Sequence, residues 1–160
     1  MFNAMLDPHF NEKLEQSCDA VCKVGLMLLK QGKSLQLNAP RYQKPSQDLS
    51  DVLVPDDGDI WIVSDWPIKR VEVKHQQNPK SIWTSAEDYP WDNLIIYSKP
   101  AWDRMVPKAE AIYILNKPMT HAAVVAGDTW QDWQSGEYPG GIGSPMKYTI
   151  PAKAASFMKF

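Results

Sequence analysis

The chain lacks the features that mark several common classes of protein. Its 160 residues include only two cysteines, Cys18 and Cys22, too few for the disulfide framework of a small secreted domain. No uninterrupted apolar stretch reaches the roughly 18 residues that a membrane-spanning helix needs. The first residues also lack the basic and then apolar pattern of a signal peptide. We therefore expect a cytoplasmic protein with no membrane partner.

The net charge and the spacing of Cys and His residues exclude further classes of protein. Lys and Arg number 17 against 19 Asp and Glu, a net charge of -2, so no overall basic field attracts nucleic acid and any phosphate contact has to be local. The two cysteines and three histidines lack the paired spacing of a zinc site. The glycine-rich run YPGGIGSP lacks the Lys-Ser/Thr of a phosphate-binding loop and is predicted to be a flexible turn.

What the chain does contain fits one aromatic-rich domain. A hydrophobic content of 44% can supply a continuous core, and the length suits a single domain over residues 1–160. Seven Trp and six Tyr are mainly expected in that core, although such rings also stack on bases or sugars. The candidates for stacking are Trp83, Trp91, Trp102, Trp130 and Trp133.

The clearest predicted helix begins at an Asp-Pro pair, residues 7–8, where Asp can cap free amides and Pro suits the first helical position. Gly32 is a natural stop. Apolar residues at three- and four-residue spacing predict one buried stripe. Its members are Leu14, Cys18, Val21, Cys22, Gly25, Leu26 and Leu29. Glu12, Glu15 and Asp19 form an acidic edge beside that stripe.

Alternating and continuous apolar runs separated by turn residues predict the remaining elements. In order, they are a strand at 34–37, a hairpin at 58–77 turning at 64–67, a strand at NLIIYS, a second hairpin from AIYILN and HAAVVAG turning at 116–120, and a short helix at DTWQDWQ. The tail, 146–160, is either a last strand with a short helix or an arm.

The first hairpin brings two acids together. Folding it about the Asp65–Trp66 bond sets Asp59 opposite Glu72, and alternation along each strand then separates two faces. One face carries Asp59, Trp61, Arg70, Glu72 and Lys74, and the other carries Ile60, Ile62, Val71 and Val73. A slip of one residue would turn these four aliphatic side chains outward, so burial favours the same register.

Two carboxylates that face each other across strands repel unless a cation lies between them. Oxygen ligands without Cys or His favour a hard ion, Mg²⁺ or Mn²⁺, over zinc. Lys74, on the same face, could orient or deprotonate an attacking water, or stabilise charge on a phosphate. Its ammonium could equally do no more than balance the two acids.

The run from PDDGDIWI to VEVKHQ resembles the PD-(D/E)xK nucleases, the restriction endonuclease-like superfamily, and within it the small phage-type and Holliday-junction-resolvase-like members. The resemblance covers about residues 8–75. It implies an α/β fold in which a long N-terminal helix and flanking helices pack on a central mixed β-sheet. The motif-bearing core would span about residues 8–126, and 127–160 would form a C-terminal extension.

By this resemblance the chain is a Mg²⁺-dependent nuclease that hydrolyses phosphodiester bonds in DNA. Asp59, Glu72 and the main-chain carbonyl of Val73 would hold Mg²⁺ or Mn²⁺, and Lys74 would help to aim the attacking water. The literal Pro-Asp pair of the motif falls earlier, at residues 55–56. Asp56 or Asp57 would therefore replace Asp59 if the strand began sooner.

The resemblance also implies supporting residues and partners. Glu15, with Glu12 in reserve, would add an acid from the helix, and Gln76 would be the polar residue that follows the Lys. Independently of the resemblance, Arg70, His75 and Lys80 are the candidates for contact with DNA, because basic side chains can track a phosphate backbone and a His beside the cluster can contact a phosphate. A homodimer is possible by analogy with relatives that cut two strands, and the cytoplasm would be the host's if a phage encodes the chain.

Two other functions remain open. The same fold, or another α/β fold, also serves as a catalytically inactive module that binds nucleic acid or a protein partner. A β-rich carbohydrate-binding domain that uses the many Trp is the third possibility. Metal-dependent cleavage would separate the first function from both alternatives.

Overall fold

The computed structural model describes residues 10–38, 58–138 and 144–160, without the side chains of residues 10–14. Its elements are α1 (Phe10–Lys30), β1 (Leu35–Leu37), β2 (Ile60–Ile62), β3 (Lys69–His75), β4 (Asn93–Ser98), α2 (Lys99–Arg104), β5 (Ala111–Leu115), β6 (His121–Ala126), β7 (Gln134–Glu137), β8 (Met146–Pro151) and β9 (Ser156–Lys159). Short 3-10 segments cover Gly127–Asp132 and Ala152–Ala154.

The strands form two sheets. A six-stranded sheet has the order β1-β2-β3-β5-β6-β9, and a three-stranded sheet has the order β4-β8-β7. In the larger sheet only the β3–β5 pair is parallel. A parallel pair needs a long crossover, which here carries β4 and α2. The expected α/β class, with an N-terminal helix on a central mixed sheet, is confirmed.

The first hairpin has the predicted register. Ile60 pairs with Val71 and Ile62 pairs with Lys69 in an antiparallel ladder. The face that carries Ile60, Ile62, Val71 and Val73 is buried and packs against α1. The aliphatic residues therefore face α1 in the register that the alternation predicted.

The predicted stripe of α1 is partly wrong. The side chains that pack on the sheet are those of Ala20, Val21, Val24 and Leu28, whereas Leu26 and Leu29 are 55% and 51% exposed. Cys22 is exposed as well. Apolar residues occur on two overlapping three- and four-residue series, and only one of the two series packs on the sheet. None of the helices in the described parts of the chain is long and apolar enough to cross a bilayer.

The second face of the large sheet is covered in a way that the sequence did not predict. In place of flanking helices, the three-stranded sheet packs there together with the six-residue α2, and both contribute to one buried cluster. The tail also forms two strands where at most one was expected. Of these, β8 lies in the middle of the small sheet and β9 forms an edge of the large one.

The second hairpin, β5–β6, is confirmed, and Asn116 holds its turn. The fully buried Asn116 accepts hydrogen bonds through Oδ1 from the Thr120 amide at 2.9 Å and the His121 amide at 3.1 Å. Its Nδ2 donates to the Trp83 carbonyl at 2.8 Å. One side chain thus satisfies backbone groups of both the turn and the crossover.

We expect Asn116→Ala to lower the free energy of unfolding by about 2–4 kcal/mol, because one buried and two partly buried backbone groups lose their partner at once. Chemical denaturation measures this loss. Thr120→Ala is the matched control. It removes the hydroxyl contacts of an exposed residue with Asn116 Nδ2 and His121 Nδ1 and should cost only about 0.5–1.5 kcal/mol. Equal losses in the two variants would contradict this account.

Candidate functional site

The Asp59 carboxylate reaches the strand that carries the Glu-x-Lys segment. The register of β2 and β3, carried one residue beyond the Ile60–Val71 pair, places Asp59 across from Glu72. The amide of Val73 donates a hydrogen bond to Asp59 Oδ2 at 2.7 Å. The acid at the start of β2 therefore lies against the backbone between Glu72 and Lys74.

Glu72 itself is held in a buried ion pair. Its side chain lies on the second face of the sheet and the residue is only 4% exposed. Arg70 Nε donates to Glu72 Oε1 at 2.7 Å, and the Tyr97 hydroxyl donates to Oε2 at 2.8 Å. Arg70 is 3% exposed. Its guanidinium, expected to contact DNA, thus lies inside the protein beside Glu72.

Lys74 shares the aromatic partner of Glu72. Its Nζ lies 3.9 Å from the centroid of the Tyr97 ring, a cation–π contact that orients the ammonium. Tyr97, on β4, therefore contacts both members of the Glu-x-Lys pair. The sequence predicted only a buried strand there. The available signal was a tyrosine within the apolar run NLIIYS, because a buried phenol needs a hydrogen-bond partner.

Gln76 organises the aromatic residues beyond the cluster. Its Nε2 donates to the Tyr89 hydroxyl at 3.0 Å, and its Oε1 accepts from Trp83 Nε1 at 2.9 Å. His75 Nε2 lies 3.0 Å from the carbonyl of Lys117. Lys80 is exposed. Gln76 is thus a structural link at the end of β3, next to the predicted cluster.

Glu15 is not brought together with the other predicted residues. It is an exposed residue of α1, which packs on the sheet face of Val71 and Val73, whereas Glu72 projects from the opposite face. The reserve candidate Glu12 lies among the residues whose side chains are not described. Asp56 and Asp57 lie outside the described residues.

Asp59, Glu72 and the Val73 carbonyl would offer oxygen ligands only, the type that a hard divalent ion prefers. A carboxylate has about four lone-pair positions, and Arg70 and Tyr97 use two of those of Glu72. No group of three or more His, Cys, Asp or Glu residues suited to a metal occurs within 10–38, 58–138 and 144–160. The described part of the site therefore supplies two acids.

Gly58 makes the packing of Arg70 possible. Its φ of +76° is a left-handed conformation that favours glycine. A Cβ at this position would also fall 2.7 Å from Arg70 Nε. The Gly-Asp pair that precedes β2 thus allows both the packing of the buried ion pair and the placement of Asp59.

The loop before Tyr89 is fixed by an exposed carboxylate. Asp88 accepts hydrogen bonds from the Thr84 amide at 2.9 Å and the Ser85 amide at 2.7 Å. Desolvation acts to raise the pKa of Asp88, but hydrogen bonds from both residues outweigh it and lower the pKa from 3.8 to about 2. The ionised carboxylate therefore stabilises the loop that leads to the aromatic residues.

Comparison of the chain with protein-family models, with curated proteins and with solved structures gave no match.

We expect Glu72→Ala to lower the free energy of unfolding by about 3–5 kcal/mol, because it leaves the Arg70 guanidinium buried without its counter-ion. Urea denaturation measures the effect. Tyr97→Phe, which keeps the ion pair and removes one hydrogen bond to a charged group, should cost about 1.5–3 kcal/mol. A Glu72→Ala variant as stable as the wild type would show that the pair is absent in solution.

The Asp88 loop predicts a pH dependence. A lowered pKa in the folded state adds stability above the unfolded pKa of 3.8, and this contribution is lost as the pH falls through about 2. The wild type should exceed Asp88→Asn in stability at pH 7, and the difference should shrink between about pH 4 and 2. Urea denaturation across this range measures it. A difference that stays constant with pH would contradict the assignment.

Proposed function

We propose that the chain is a metal-dependent nuclease of restriction endonuclease-like architecture that hydrolyses phosphodiester bonds in DNA. The observation that carries the proposal is the contact of Asp59 with β3, where its carboxylate accepts from the Val73 amide at 2.7 Å. An acid at the start of one strand thus meets a Glu-x-Lys segment on the antiparallel partner strand. The long helix that packs behind this hairpin supports the same proposal.

Asp59, Glu72 and the Val73 carbonyl are the groups that would hold Mg²⁺ or Mn²⁺. When bound, such an ion polarises a phosphate oxygen and lowers the pKa of a coordinated water. Glu72 is oriented for this role by Arg70 and Tyr97, each of which binds a different carboxylate oxygen. Fixed acids keep their geometry when a charged substrate arrives, which is how preorganisation contributes to catalysis.

Lys74 acts on the water and the phosphate. Its ammonium is placed by the Tyr97 ring and projects from the same face of β3 as Glu72. A positioned ammonium stabilises charge that develops on the phosphate oxygens, and its neutral amine can accept a proton from the attacking water. By resemblance, the products would carry 5′-phosphate and 3′-hydroxyl ends.

The test is a cleavage panel of single-stranded, duplex, flapped and junction DNA, together with RNA, in Mg²⁺ or Mn²⁺. The wild type should cut at least one DNA form. Lys74→Ala should lower the single-turnover rate by about 100-fold or more, since a positioned proton-transfer group contributes about 10²–10⁴-fold. Chelation of the metal should abolish cleavage.

Lys153→Ala is the matched control for Lys74→Ala, because Lys153 is exposed and lies in the 3-10 segment Ala152–Ala154. It should cleave at the wild-type rate. Circular dichroism verifies that both variants are folded. Equal activity in Lys74→Ala and the wild type would contradict the proposed function.

One observation favours the alternative of an inactive module that binds nucleic acid or a protein partner. Arg70 already neutralises Glu72 within the protein, as a bound metal would otherwise do. A chain that binds DNA with and without divalent ions, and cuts none of the forms above, would match this second function.

A further inference from the structure

A cleft opens where β3 ends. Its volume is about 490 Å³, within the range of about 300–1,000 Å³ typical of small-molecule sites. Gln76, the first residue after β3, lines it, and alternation along the strand places Gln76 on the same face as Lys74. At about 3.3 Å per residue, the two positions are about 7 Å apart. The cleft therefore adjoins the predicted catalytic cluster.

Aromatic rings form one part of the cleft. Tyr89, Trp91 and Tyr138 line it, and the rings of Tyr89 and Trp91 meet edge to face with centroids 5.4 Å apart. Trp91 is 37% exposed, whereas Tyr89 is buried and anchored by Gln76. An exposed indole supported by a fixed ring is a platform on which a flat molecule can stack.

Carboxamides form the polar part. Gln77, Asn78 and Asn93 line the cleft, and each carries both donor and acceptor atoms. The Asn78 oxygen already accepts from the amide of Lys80 at 2.9 Å, which fixes that side chain. Such groups complement the mixed donor and acceptor edge of a nucleobase.

The charge of the cleft argues against a phosphate as its occupant. Among the described residues that line it, Asp92 is the charged one and no Lys or Arg contributes. An anion would meet a carboxylate there and gain no counter-ion. The occupant that fits aromatic rings and carboxamides is therefore neutral and planar.

We propose that this cleft binds an unpaired nucleobase of the same strand whose phosphate lies at Lys74. The inference rests on the proposed function, because that function places a phosphate at Lys74. The backbone positions of Lys74 and Gln76 lie about 7 Å apart along the strand, and this short spacing is the reason for placing the phosphate and its base on the same nucleotide. The ring of the base stacks on Trp91, and its edge faces the carboxamides of Gln77 and Asn93. Single-stranded or frayed DNA is then the preferred substrate.

The experiment measures equilibrium binding of a short fluorescent single-stranded DNA in EDTA, so that no cleavage is required. Trp91→Ala should weaken binding by roughly 5- to 100-fold, the usual effect of losing one base-stacking ring. Trp91→Phe should retain most of the affinity because it keeps a ring. Trp66→Ala is the control, since Trp66 is 91% exposed at the turn of the first hairpin, and its affinity should not change.

Tyr138→Ala tests another aromatic residue that lines the cleft, and it serves if Trp91→Ala does not fold. It should also weaken binding. A series of strands with one abasic position, moved along the sequence, should show a loss of affinity at a single position for the wild type. That positional loss should be smaller in Trp91→Ala, because the stacking ring is already absent.

The outcomes separate the two proposals. Base-dependent binding without cleavage in Mg²⁺ would overturn the proposed nuclease function and leave the base site standing. Cleavage with unchanged affinity in both Trp91→Ala and Tyr138→Ala would overturn the base site alone. Displacement of the strand by oligosaccharides at a low concentration, with no effect of abasic positions, would also overturn it and would indicate a carbohydrate site.

Discussion

The rest of the structure depends on how one carboxylate is kept inside the protein. Glu72 lies on a strand whose two faces are both covered, and a buried charge is costly unless it is paired and hydrogen-bonded. Arg70 supplies the charge from the same strand, and Tyr97 supplies a hydroxyl from the second sheet. The contact thus sets how the two sheets meet. Gly58 belongs to the same constraint, because a side chain there would occupy the place of Arg70.

The buried ion pair also shapes the candidate site, because Glu72, which would hold a metal in the proposed function, is the same residue that pairs with Arg70 inside the protein. Two acids, Asp59 and Glu72, and two bases, Arg70 and Lys74, share one region of the hairpin. Their formal charges cancel without a metal, so these four groups together carry no net charge. A bound divalent ion would add positive charge beyond that of these four groups, and in the proposed function the phosphate backbone of DNA would supply the counter-charge. The internal ion pair therefore leaves a metal optional for folding.

The parts of the fold that local pattern decides could be predicted from the sequence. Alternation of four aliphatic residues fixed the register of β2 and β3, and the turn at 116–120 fixed the second hairpin. The stripe of α1 was placed partly wrongly because Leu26 and Leu29 fit a three- and four-residue series as well as Val24 and Leu28 do. Only contact with the sheet selects between the two series. Alternation predicted that Arg70 and Glu72 share a face of β3. It could not predict that this face is buried, because the residue that covers it, Tyr97, is distant in sequence.

A single face of β3 joins these results. Along it, Arg70 and Glu72 are buried, Lys74 is partly covered by Tyr97, and Gln76 reaches the cleft. Period-two alternation puts all four side chains on one line. Their solvent exposure increases from Arg70 and Glu72, which are buried, to Lys74 and Gln76, which are half-buried. A charge at the inner end is held rigidly, and a neutral amide at the outer end can support a site for a neutral ligand. Along this face the paired charges of Arg70 and Glu72 are buried, and Lys74 and the neutral Gln76 are progressively nearer the cleft. In the proposed function, the phosphate would lie at Lys74 and its base in the cleft beside Gln76.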